Sequence, residues 1–480
     1  MNCKKMTFEE CELAILRQAI DKAKTEVGKS LILNPAIKEI IEIVETFLRS
    51  KKRICYGGTA INNILPFEYQ FYDKSVELPD YDFFSPEPLK DAKNLADIYY
   101  KKGFTEVEAK AGVHAGTFKV FVNFIPVADI TFLTPELYKR LSKETIVVSG
   151  ILYTPPNYLR MLMYLELSRP QGDISRWEKV LKRLTLLNKN YPLRGKDCNF
   201  IEVQRIIDPH SKLSKSMQQK IYNITKESFI SQGVIFFGAM ANRLYLRYLR
   251  QFKYKKIPQV PDFDVLSEDP EQSATILKES LQAQGMKKVS VLKKKGIGEI
   301  IAPHYEVRVH NETIAFIYKP LACHSYNIIK INRKNIRIAT IDTMLSFYLA
   351  FLYVKRPYYD PNRIICMAEF LFKVQQQNRL KQKGLLKRFS VNCYGKQLTI
   401  EKMREEKAEK YKELKNKRGT KEWDWYFLRY TPGDERDKNG KKQTDKKKTN
   451  KKKTNKKKTN KRNTNKRKRK TRRKRFSFFD

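Results

Sequence analysis

Cysteine is scarce in this sequence: 480 residues include 7 cysteines, and no two of them form a CxxC pair. Zinc ribbons and disulfide frameworks depend on regularly spaced cysteines, so the sequence predicts neither and favours a reduced, intracellular protein. The first ten residues, MNCKKMTFEE, lack the apolar core of a signal peptide. The longest apolar run, residues 344–354, is too short to span a bilayer. We therefore expect a soluble protein without a membrane partner.

Acidic residues are also in short supply, since 52 Asp and Glu face 97 Lys and Arg, for a net charge of +45. Residues 433–480 hold 24 basic and 5 acidic residues, a net charge of +19, and the rest of the chain keeps +26. Because the body is basic in its own right, we expect a polyanionic partner, with nucleic acid first. Solubility or nuclear import is the alternative reading of the charge.

The last 47 residues, 434–480, form a low-complexity tail. The unit KKKTN repeats every five residues from Lys446, and the basic runs KRKRK and RRKR follow. Like-charge repulsion and the lack of an apolar core predict that this Lys/Arg-rich tail is disordered.

The body predicts a mixed α/β (α+β) architecture. Residues 7–50 have helical periodicity, with Pro35 in the first turn of an amphipathic helix. Further strands are expected at 53–56, 78–84 and 117–133, and further helices at 86–101, 155–168 and 173–187. This order of elements predicts a mixed sheet with helices packed on it.

The segment from about residue 51 to 192 repeats weakly between about 233 and 378. ICYGGTAIN (54–62) matches IFFGAMANR (235–243), PDYDF (79–83) matches PDFDV (261–265), and Arg169-Pro170 matches Arg356-Pro357. The spacing between the glycine turn and the acidic pair is 22 residues in the first copy and 23 in the second. We interpret the pattern as a duplication of one nucleotide-handling unit.

These patterns predict six consecutive segments. They are an N-terminal helical segment (1–50), a catalytic nucleotidyltransferase domain (51–195), a linker (196–232), a degenerate nucleotidyltransferase-like domain (233–385), a C-terminal extension (386–433) and the disordered tail (434–480). The fold expected is thus two tandem mixed-sheet domains with helices packed on them.

A glycine turn in the first copy is the first candidate site. Gly57, Gly58 and Thr59 lie between a predicted strand and a predicted helix. Glycine lets the backbone approach a phosphate closely, and the first turn of a helix offers free N–H groups to a triphosphate. A GG pair alone is common in turns, so this motif needs support from other residues.

Three aspartates supply that support. Asp80 and Asp82 are two residues apart on a predicted strand, which directs both carboxylates to one face. Asp129 lies within an apolar predicted strand, where a carboxylate is costly unless it is paired or binds a metal. Three adjacent carboxylates repel one another unless cations lie between them, which is the logic of two-metal catalysis. A solvated strand end is the plainer explanation of the Asp80–Asp82 pair alone.

Four segments carry a family resemblance: CYGGTAIN, LPDYDFFSPE, PVADITFL and SRPQGDISRWEKVLKRL. Together they resemble the poly(A) polymerase catalytic subunit of large cytoplasmic DNA viruses, of the poxvirus, asfarvirus and giant-virus type. That family lies within the DNA polymerase β-like nucleotidyltransferase superfamily. The resemblance has specific motifs from about residue 51 to 193, is looser to about 378 and is absent from the tail.

The resemblance implies a template-independent polynucleotide adenylyltransferase that adds AMP from ATP to RNA 3′ ends, as in mRNA polyadenylation. Asp80, Asp82 and Asp129 would bind two Mg²⁺ or Mn²⁺ ions, with Asp129 beside the primer 3′ hydroxyl. The glycine turn would hold the triphosphate. A helix near the incoming nucleotide would carry the further contacts, namely Ser175, Arg176 and Lys179.

The second copy departs from this pattern. Ala239 replaces Gly58, and alignment of Thr134-Pro135 with Lys319-Pro320 puts Ile314 opposite Asp129. Asp262 and Asp264 persist, but the third carboxylate is missing, so we expect a scaffold without catalytic activity.

Other readings remain open from sequence alone. A CCA-adding, uridylyl or oligoadenylate-type transferase would share the motifs, and a catalytically inactive RNA-binding or packaging protein would explain the tail. In poxviruses the catalytic subunit works with a cap methyltransferase. For this chain the sequence leaves open a processivity partner of that kind, a homodimer, or neither. The expected location is the host cytoplasm, in viral factories, and the virion; the basic tail makes the nucleus the alternative.

Overall fold

The structure is a computed structural model that describes residues 6–32, 34–73, 75–198, 213–252, 260–298, 300–356 and 358–433. The basic tail and residues 199–212 lie outside these ranges, so the predicted disorder of the tail is not addressed by the structure. Within the described part of the chain, no helix is both long and apolar enough to cross a membrane.

Two helices open the chain, α1 (Phe8–Ile32) and α2 (Pro35–Lys51). The side chain of Asn34 accepts a hydrogen bond from the N–H of Ala36, and Pro35 occupies the first turn, so capping and proline together begin α2. The apolar face of α2 is buried, and its members are Ile37, Ile40, Ile43, Val44, Phe47 and Leu48. The predicted amphipathic helix is therefore confirmed.

A first mixed sheet and its helices follow. The strands are β1 (Ile54–Cys55), β2 (Tyr81–Ser85), β3 (Val107–Ala111), β4 (Thr117–Val122), β5 (Ile125–Phe132), β6 (Ile146–Val148) and β7 (Ile151–Tyr153). The helices are α3 (Gly57–Ile64), α4 (Pro88–Lys101), α5 (Pro135–Leu141), α6 (Pro156–Leu167) and α7 (Trp177–Asn190). The predicted strand at 117–133 is a hairpin of β4 and β5, because Asn123 and Phe124 both adopt positive φ angles and form a tight turn.

The two faces of this sheet differ in polarity. Along β4, Phe118, Val120 and Val122 are fully buried, whereas the alternate residues are only half-buried. Helix α4 packs against β4 and β3 on the buried face, and α2 contacts β5 and β7. The opposite face carries polar side chains, since successive strand residues point to opposite sides. That open face positions the candidate site.

A second mixed sheet repeats the first. Its helices are α8 (Lys215–Gln232), α9 (Gly238–Leu246), α10 (Pro270–Ala283), α11 (Ile341–Phe351) and α12 (Pro361–Gln377). Its strands are β8 (Ile235–Phe237), β9 (Phe263–Leu266), β10 (Val289–Lys294), β11 (His304–Val309), β12 (Glu312–Tyr318), β13 (His324–Ile331) and β14 (Lys334–Ala339).

The strand orders of the two sheets correspond one to one. The first sheet runs β3-β4-β5-β2-β1-β7-β6 and the second β10-β11-β12-β9-β8-β14-β13. Each pair of neighbours also has the same relative direction, including the parallel pairs β2–β5 and β9–β12. The predicted fold class, two tandem mixed-sheet units with helices packed on them, is confirmed.

The C-terminal extension adds one strand to each sheet. It contains β15 (Cys393–Tyr394), α13 (Ile400–Leu414), α14 (Lys421–Phe427) and β16 (Arg429–Tyr430). Strand β15 pairs with β13 of the second sheet, and β16 pairs with β3 of the first. The indole of Trp425 on α14 packs edge-on against the rings of Phe118 and Phe132. The sequence predicted only an extension here, without these pairings.

Two disulfide bonds, each between cysteines that the structure describes, contradict the expectation of a chain without a disulfide framework. Cys198 is bonded to Cys366 across 168 residues, and Cys323 to Cys393 across 70 residues. Cys55 is a buried free thiol. Sequence spacing does not reveal such pairs because each bond joins segments that only the tertiary fold brings together.

Candidate functional site

Two of the three predicted carboxylates face each other on neighbouring strands. β2 and β5 are parallel, and Asp82 lies directly opposite Asp129 in their register. Asp80 immediately precedes β2, which begins at Tyr81, so the strand predicted at 78–84 is shorter than expected. Residues at positions i and i+2 of an extended segment point to the same side, so all three carboxylates face the open side of the sheet.

Their electrostatics show that these carboxylates interact. Burial, together with the negative charges of Asp80 and Asp129, raises the pKa of Asp82 to about 7. Burial and the charge of Asp129 also raise the pKa of Asp80. A raised pKa means that the ionised carboxylates repel one another without enough positive charge nearby. Bound cations would supply that charge.

Lys119 of β4 contributes part of that charge. It lies directly opposite Asp129 in the register of β4 and β5, and its Nζ donates to Asp129 Oδ2. The other oxygen of this carboxylate, Oδ1, is buried and has no hydrogen-bond partner. Sequence reasoning missed Lys119, because a lysine at an alternate position of the segment TFKVFV looks like any residue on the solvated face of a strand.

The donor set fits divalent cations, which prefer carboxylate oxygens. Among the described residues, no three His, Cys, Asp or Glu side chains are gathered closely enough to form a metal site as they stand. The buried unpaired Oδ1 of Asp129 and the raised pKa values of Asp80 and Asp82 are nevertheless what a cation between these groups would relieve. Asp80, Asp82 and Asp129 are therefore the residues that could hold one.

The glycine turn lies against these carboxylates. Gly57 begins α3 with a φ of +75°, and a Cβ placed on it would lie 2.3 Å from Asp82 Oδ2. A Cβ on Gly58 would lie 2.4 Å from the Tyr72 hydroxyl and 2.9 Å from Arg183 Nη2. Thr59 is buried, and its hydroxyl donates to the carbonyl of Asp80 at 2.7 Å, so its side chain positions the acidic segment. A side chain at position 57 is therefore opposed by both the backbone conformation and the carboxylate, whereas one at position 58 would displace the ends of the Tyr72 and Arg183 side chains.

Cations of α7 and of the short 3-10 turn before it form the other wall. The charges of Arg176 and Lys179 act on Asp82 and Asp80 respectively. Arg183 lowers the pKa of Lys179, with smaller contributions from partial burial and from Arg176, which shows that these side chains form one positive group. A positive group of this kind suits a polyphosphate.

The helix α7 is held by its apolar side, where Val180, Leu184 and Leu187 are buried. This leaves Arg183 over the rings of Phe71 and Tyr72, at 5.1 and 5.5 Å from their centroids. The guanidinium of Arg183 also donates to the Tyr72 hydroxyl at 2.5 Å. Sequence reasoning missed Arg183 and Tyr72, although Arg176, Lys179 and Arg183 have the i, i+3, i+7 spacing of one helical face.

Ser175 was also predicted to contact a nucleotide. Its hydroxyl donates to the carboxylate of Asp173, and both residues are exposed. The guanidinium of Arg176 lies 3.3 Å from a carboxylate oxygen of Glu166. The structure therefore brings Arg176 and Lys179 to the acidic cluster and engages Ser175 locally in the preceding turn.

The second copy lacks a third carboxylate, but at a different position from the one expected. Asp264 of β9 lies opposite Phe316 of β12, so the prediction that Ile314 replaces Asp129 is wrong. The error arose because the strand position lies six residues before the aligned proline in the first copy and four before it in the second. A cavity occupies the equivalent place, and its lining includes Asp262, Asp264, Phe316, Tyr348, Tyr359 and the cation Arg363.

A mixed sheet with paired carboxylates on parallel strands, beside a glycine turn at the start of a helix, has the arrangement of a nucleotidyltransferase as a class. Comparison with known proteins narrows the class. Residues 42–173 match the sequence model of the family described as poly(A) polymerase catalytic subunit. This matched segment contains the glycine turn and all three carboxylates. The resemblance predicted from the sequence motifs is confirmed.

Two viral relatives share this part of the chain. A protein of Acanthamoeba polyphaga mimivirus is 29% identical over 236 residues, which are 48% of this chain and 39% of that protein. A protein of African swine fever virus (strain Badajoz 1971 Vero-adapted) is 34% identical over 163 residues, which are 33% of this chain and 34% of that protein. Both are named as poly(A) polymerase catalytic subunits. The chain thus matches well under half the length of these relatives.

A solved structure covers more of the chain. The crystal structure of the Megavirus polyadenylate synthase matches with a TM-score of 0.72 and 22% sequence identity, over 90% of this chain and 87% of that chain. This likeness shows that the arrangement of two sheets and their helices occurs as a whole in another protein.

Proposed function

We propose that this chain is a polynucleotide adenylyltransferase, a poly(A) polymerase that transfers AMP from ATP to the 3′ hydroxyl of RNA. The observation that carries the proposal is that a group of carboxylates and a group of cations meet on the open face of one sheet. Asp80, Asp82 and Asp129 form the acidic side, and the cations of α7 form the basic side. The names of the viral relatives supply the choice of adenosine and of RNA.

Different residues would bind the two reactants, the ATP triphosphate and the RNA 3′ hydroxyl. The first turn of α3 has no side-chain cap, so its backbone N–H groups are available to phosphate oxygens. Arg176, Lys179 and Arg183 then neutralise the triphosphate from the side of α7. Asp129 lies on the other side of the cluster, on the strand next to Lys119, where it would hold the attacking hydroxyl.

Divalent cations, Mg²⁺ or Mn²⁺, would be held by Asp80, Asp82 and Asp129, and would lower the pKa of the attacking hydroxyl and neutralise charge on the leaving pyrophosphate. Lys119 donates to Asp129 where no cation is present, and this hydrogen bond orients the carboxylate toward the cluster. Thr59 fixes the backbone of Asp80 through the hydrogen bond from its hydroxyl to the Asp80 carbonyl. The site is thus built to place three carboxylates at fixed positions before the reactants arrive.

Primer extension tests the proposal. The full chain is incubated with an oligoadenylate primer and each of the four ribonucleoside triphosphates, with Mg²⁺ or Mn²⁺. We expect extension with ATP, and loss of extension in each of Asp80→Asn, Asp82→Asn and Asp129→Asn while the melting curve is retained. Near wild-type extension by Asp129→Asn would remove Asp129 from the mechanism.

The same assay separates the alternatives. Preference for UTP, or addition limited to CCA or short 2′–5′ adenylates, would indicate a different transferase of the superfamily. Binding of RNA without extension by any nucleotide, in a folded protein, would indicate an inactive RNA-binding or packaging protein.

Partners and location extend the proposal. RNA and ATP are the substrates, and processivity would come from a homodimer or from a partner such as a cap methyltransferase, which sedimentation with and without RNA distinguishes. We place the activity in the host cytoplasm because the sequence motifs resemble those of enzymes from cytoplasmic DNA viruses. A fluorescent fusion with and without residues 434–480 tests whether the basic tail directs the chain to the nucleus instead.

A further inference from the structure

A row of cations crosses the open face of the first sheet, beginning at the acidic cluster. Lys119 lies opposite Asp129, Lys110 lies opposite Lys119, and Arg429 lies opposite Lys110. Residues opposite each other on adjacent strands point to the same face. Neighbouring strands are about 4.8 Å apart, so the row extends about 14 Å from Asp129 to the edge of the sheet. We call Lys119, Lys110 and Arg429 the cationic row.

The cationic row is accessible along its whole length. The side chains of Lys119, Lys110 and Arg429 are 39%, 43% and 75% exposed. Residues that alternate with them on the same strands, such as Ala109 and Val120, are fully buried on the other face. The row therefore lies on the same open surface as the carboxylates and does not belong to the core.

Like charges directly opposite one another destabilise a sheet, so this row costs stability unless anions lie across it. Glu108 supplies one such anion: its carboxylate lies 3.5 Å from Lys110 Nζ and 3.0 Å from Arg429 Nε. Exposed ion pairs of this kind contribute little, about 0.2–1 kcal/mol each. Asp129 is the second anion, because it is paired with Lys119. Three cations and two carboxylates leave a net positive strip that suits a polyanion.

An aromatic ring accompanies the row. Phe121 is half-buried, two residues beyond Lys119 on β4, and therefore on the same face. The ammonium group of Lys110 lies 4.0 Å from the centroid of its ring. A partly exposed aromatic ring beside cations is a feature of proteins that bind single-stranded nucleic acid without reading its sequence.

The position of the row in the sheet indicates which polyanion it takes. The strand order places β2 and β5, with the acidic cluster, between β1 on one side and β4, β3 and β16 on the other. The glycine turn follows β1, so the triphosphate site proposed above lies on that side. The row lies on the opposite side, next to Asp129, from which the second reactant would approach.

We propose that the cationic row binds the 3′-terminal phosphates of the RNA primer, which reaches Asp129 by crossing β16, β3 and β4. This inference rests on the proposed function. At a rise of about 3.4 Å per nucleotide, 14 Å accommodates about four nucleotides. Arg429 comes from the C-terminal extension, so β16 completes a substrate surface whose other residues lie more than 300 positions earlier in the chain.

Equilibrium binding in the absence of metal tests the row without catalysis. The full chain is titrated into a fluorescent oligoadenylate with a 3′-deoxy end, in EDTA, at several salt concentrations. Lys110→Gln and Arg429→Gln should each weaken binding by about threefold to tenfold and reduce the salt slope by about 0.7, and the double variant by about 1.4. Lys334→Gln is the matched control, because Lys334 is a 57% exposed strand lysine of the second sheet that also pairs with a glutamate.

Glu108→Gln makes the test two-sided. If the row binds RNA, removal of this carboxylate strengthens binding, whereas removal of a cation weakens it. If the three side chains form only a structural ion-pair group, all the variants lower the melting temperature and Glu108→Gln leaves RNA affinity unchanged or lower. That result, or salt slopes of the cation variants equal to that of Lys334→Gln, overturns the proposal.

Kinetics distinguish this inference from the function on which it rests. In primer extension, Lys110→Gln with Arg429→Gln should raise KM for the primer and leave KM for ATP and the rate at saturating RNA nearly unchanged. If the double variant extends the primer with an unaltered KM for the primer, the proposed role of the cationic row is rejected and the proposed function stands. Absence of extension in a wild-type chain that shows the expected binding changes rejects the proposed function and retains the row as an RNA surface.

Discussion

Two glycines in equivalent turns provide a matched test of which copy is catalytic. Gly57 and Gly238 begin α3 and α9 with φ angles of +75° and +66°. A Cβ would lie 2.3 Å from Asp82 Oδ2 in the first copy and 1.9 Å from Asp264 Oδ2 in the second. Alanine at either position therefore meets the same two obstacles, an unfavourable backbone conformation and a carboxylate.

The structure sets the magnitude of both effects. A left-handed conformation costs a residue with a Cβ about 1–2 kcal/mol, so each variant should lose at least that much stability. Ordinary contact begins near 3.4 Å, so Asp82 must move by about 1 Å in Gly57→Ala, and Asp264 by about 1.5 Å in Gly238→Ala. A displacement of about 1 Å in a catalytic group reduces a rate by about 100-fold.

Gly57→Ala should therefore reduce tailing by about 100-fold or more, and Gly238→Ala should leave the rate per folded molecule nearly unchanged. Initial rates of primer extension and denaturant unfolding curves are measured on both variants at the same temperature. Gly238 is the control for destabilisation, since its Cβ makes the closer contact. Equal loss of tailing in two folded variants, or wild-type tailing by Gly57→Ala, would refute the assignment of Asp82.

Four further predictions concern other parts of the chain. The double change Asp262→Asn with Asp264→Asn should leave tailing nearly intact, whereas Asp80→Asn with Asp82→Asn should abolish it; a well-folded second-copy variant without activity would mean that this copy takes part in catalysis. Burial and the charge of Arg169 lower the pKa of His324 to about 3. The His324 side chain therefore stays neutral in the folded protein, whereas in the unfolded chain it takes up a proton below about pH 6.5. Stability should thus fall as pH drops from about 6.5 toward 3, by about 2 kcal/mol at pH 5, and His324→Phe should remove that part of the slope in chemical denaturation. Cys198–Cys366 and Cys323–Cys393 close loops of 168 and 70 residues, and by chain entropy each should contribute about 4–5 kcal/mol; Cys366→Ser and Cys393→Ser should lower the melting temperature in oxidising buffer, and an equal difference from wild type under full reduction would argue against the bonds. Truncation after Pro432 should weaken RNA binding at low salt and flatten the salt slope, with little change in turnover at saturating RNA; an unchanged slope would point to a targeting role for the tail.

Local sequence patterns predicted the parts of the site that depend on neighbouring residues. The Gly57-Gly58 turn follows from its place between a strand and a helix, and the Asp80–Asp82 pair follows from strand alternation. The repeat was visible because the motifs recur at nearly equal spacing. These features need only two to nine consecutive residues to be recognised.

Residues that depend on tertiary neighbours were missed or misplaced. Lys119 matters because β4 pairs with β5 in one register, and Phe316 replaces the expected Ile314 because register is set by the whole strand pair. Arg183 becomes part of the site only when α7 packs its apolar side inward. The pairing of β16 with β3 joins residues about 320 positions apart, a distance over which no periodicity is informative.

The position of β16 near the end of the described chain has a consequence for folding during synthesis on the ribosome. Strand β3 is synthesised early, but its partner emerges about 320 residues later, since Arg429 bonds to Glu108 across 321 positions. At about 5–20 residues per second, the outer edge of β3 waits about 16–64 s for that partner. During this interval the nascent chain exposes an unpaired strand edge, which is a template for association with other chains. Lys110, a charged side chain on that edge, discourages such pairing, so the same residue would protect the growing polypeptide before it ever meets a nucleic acid.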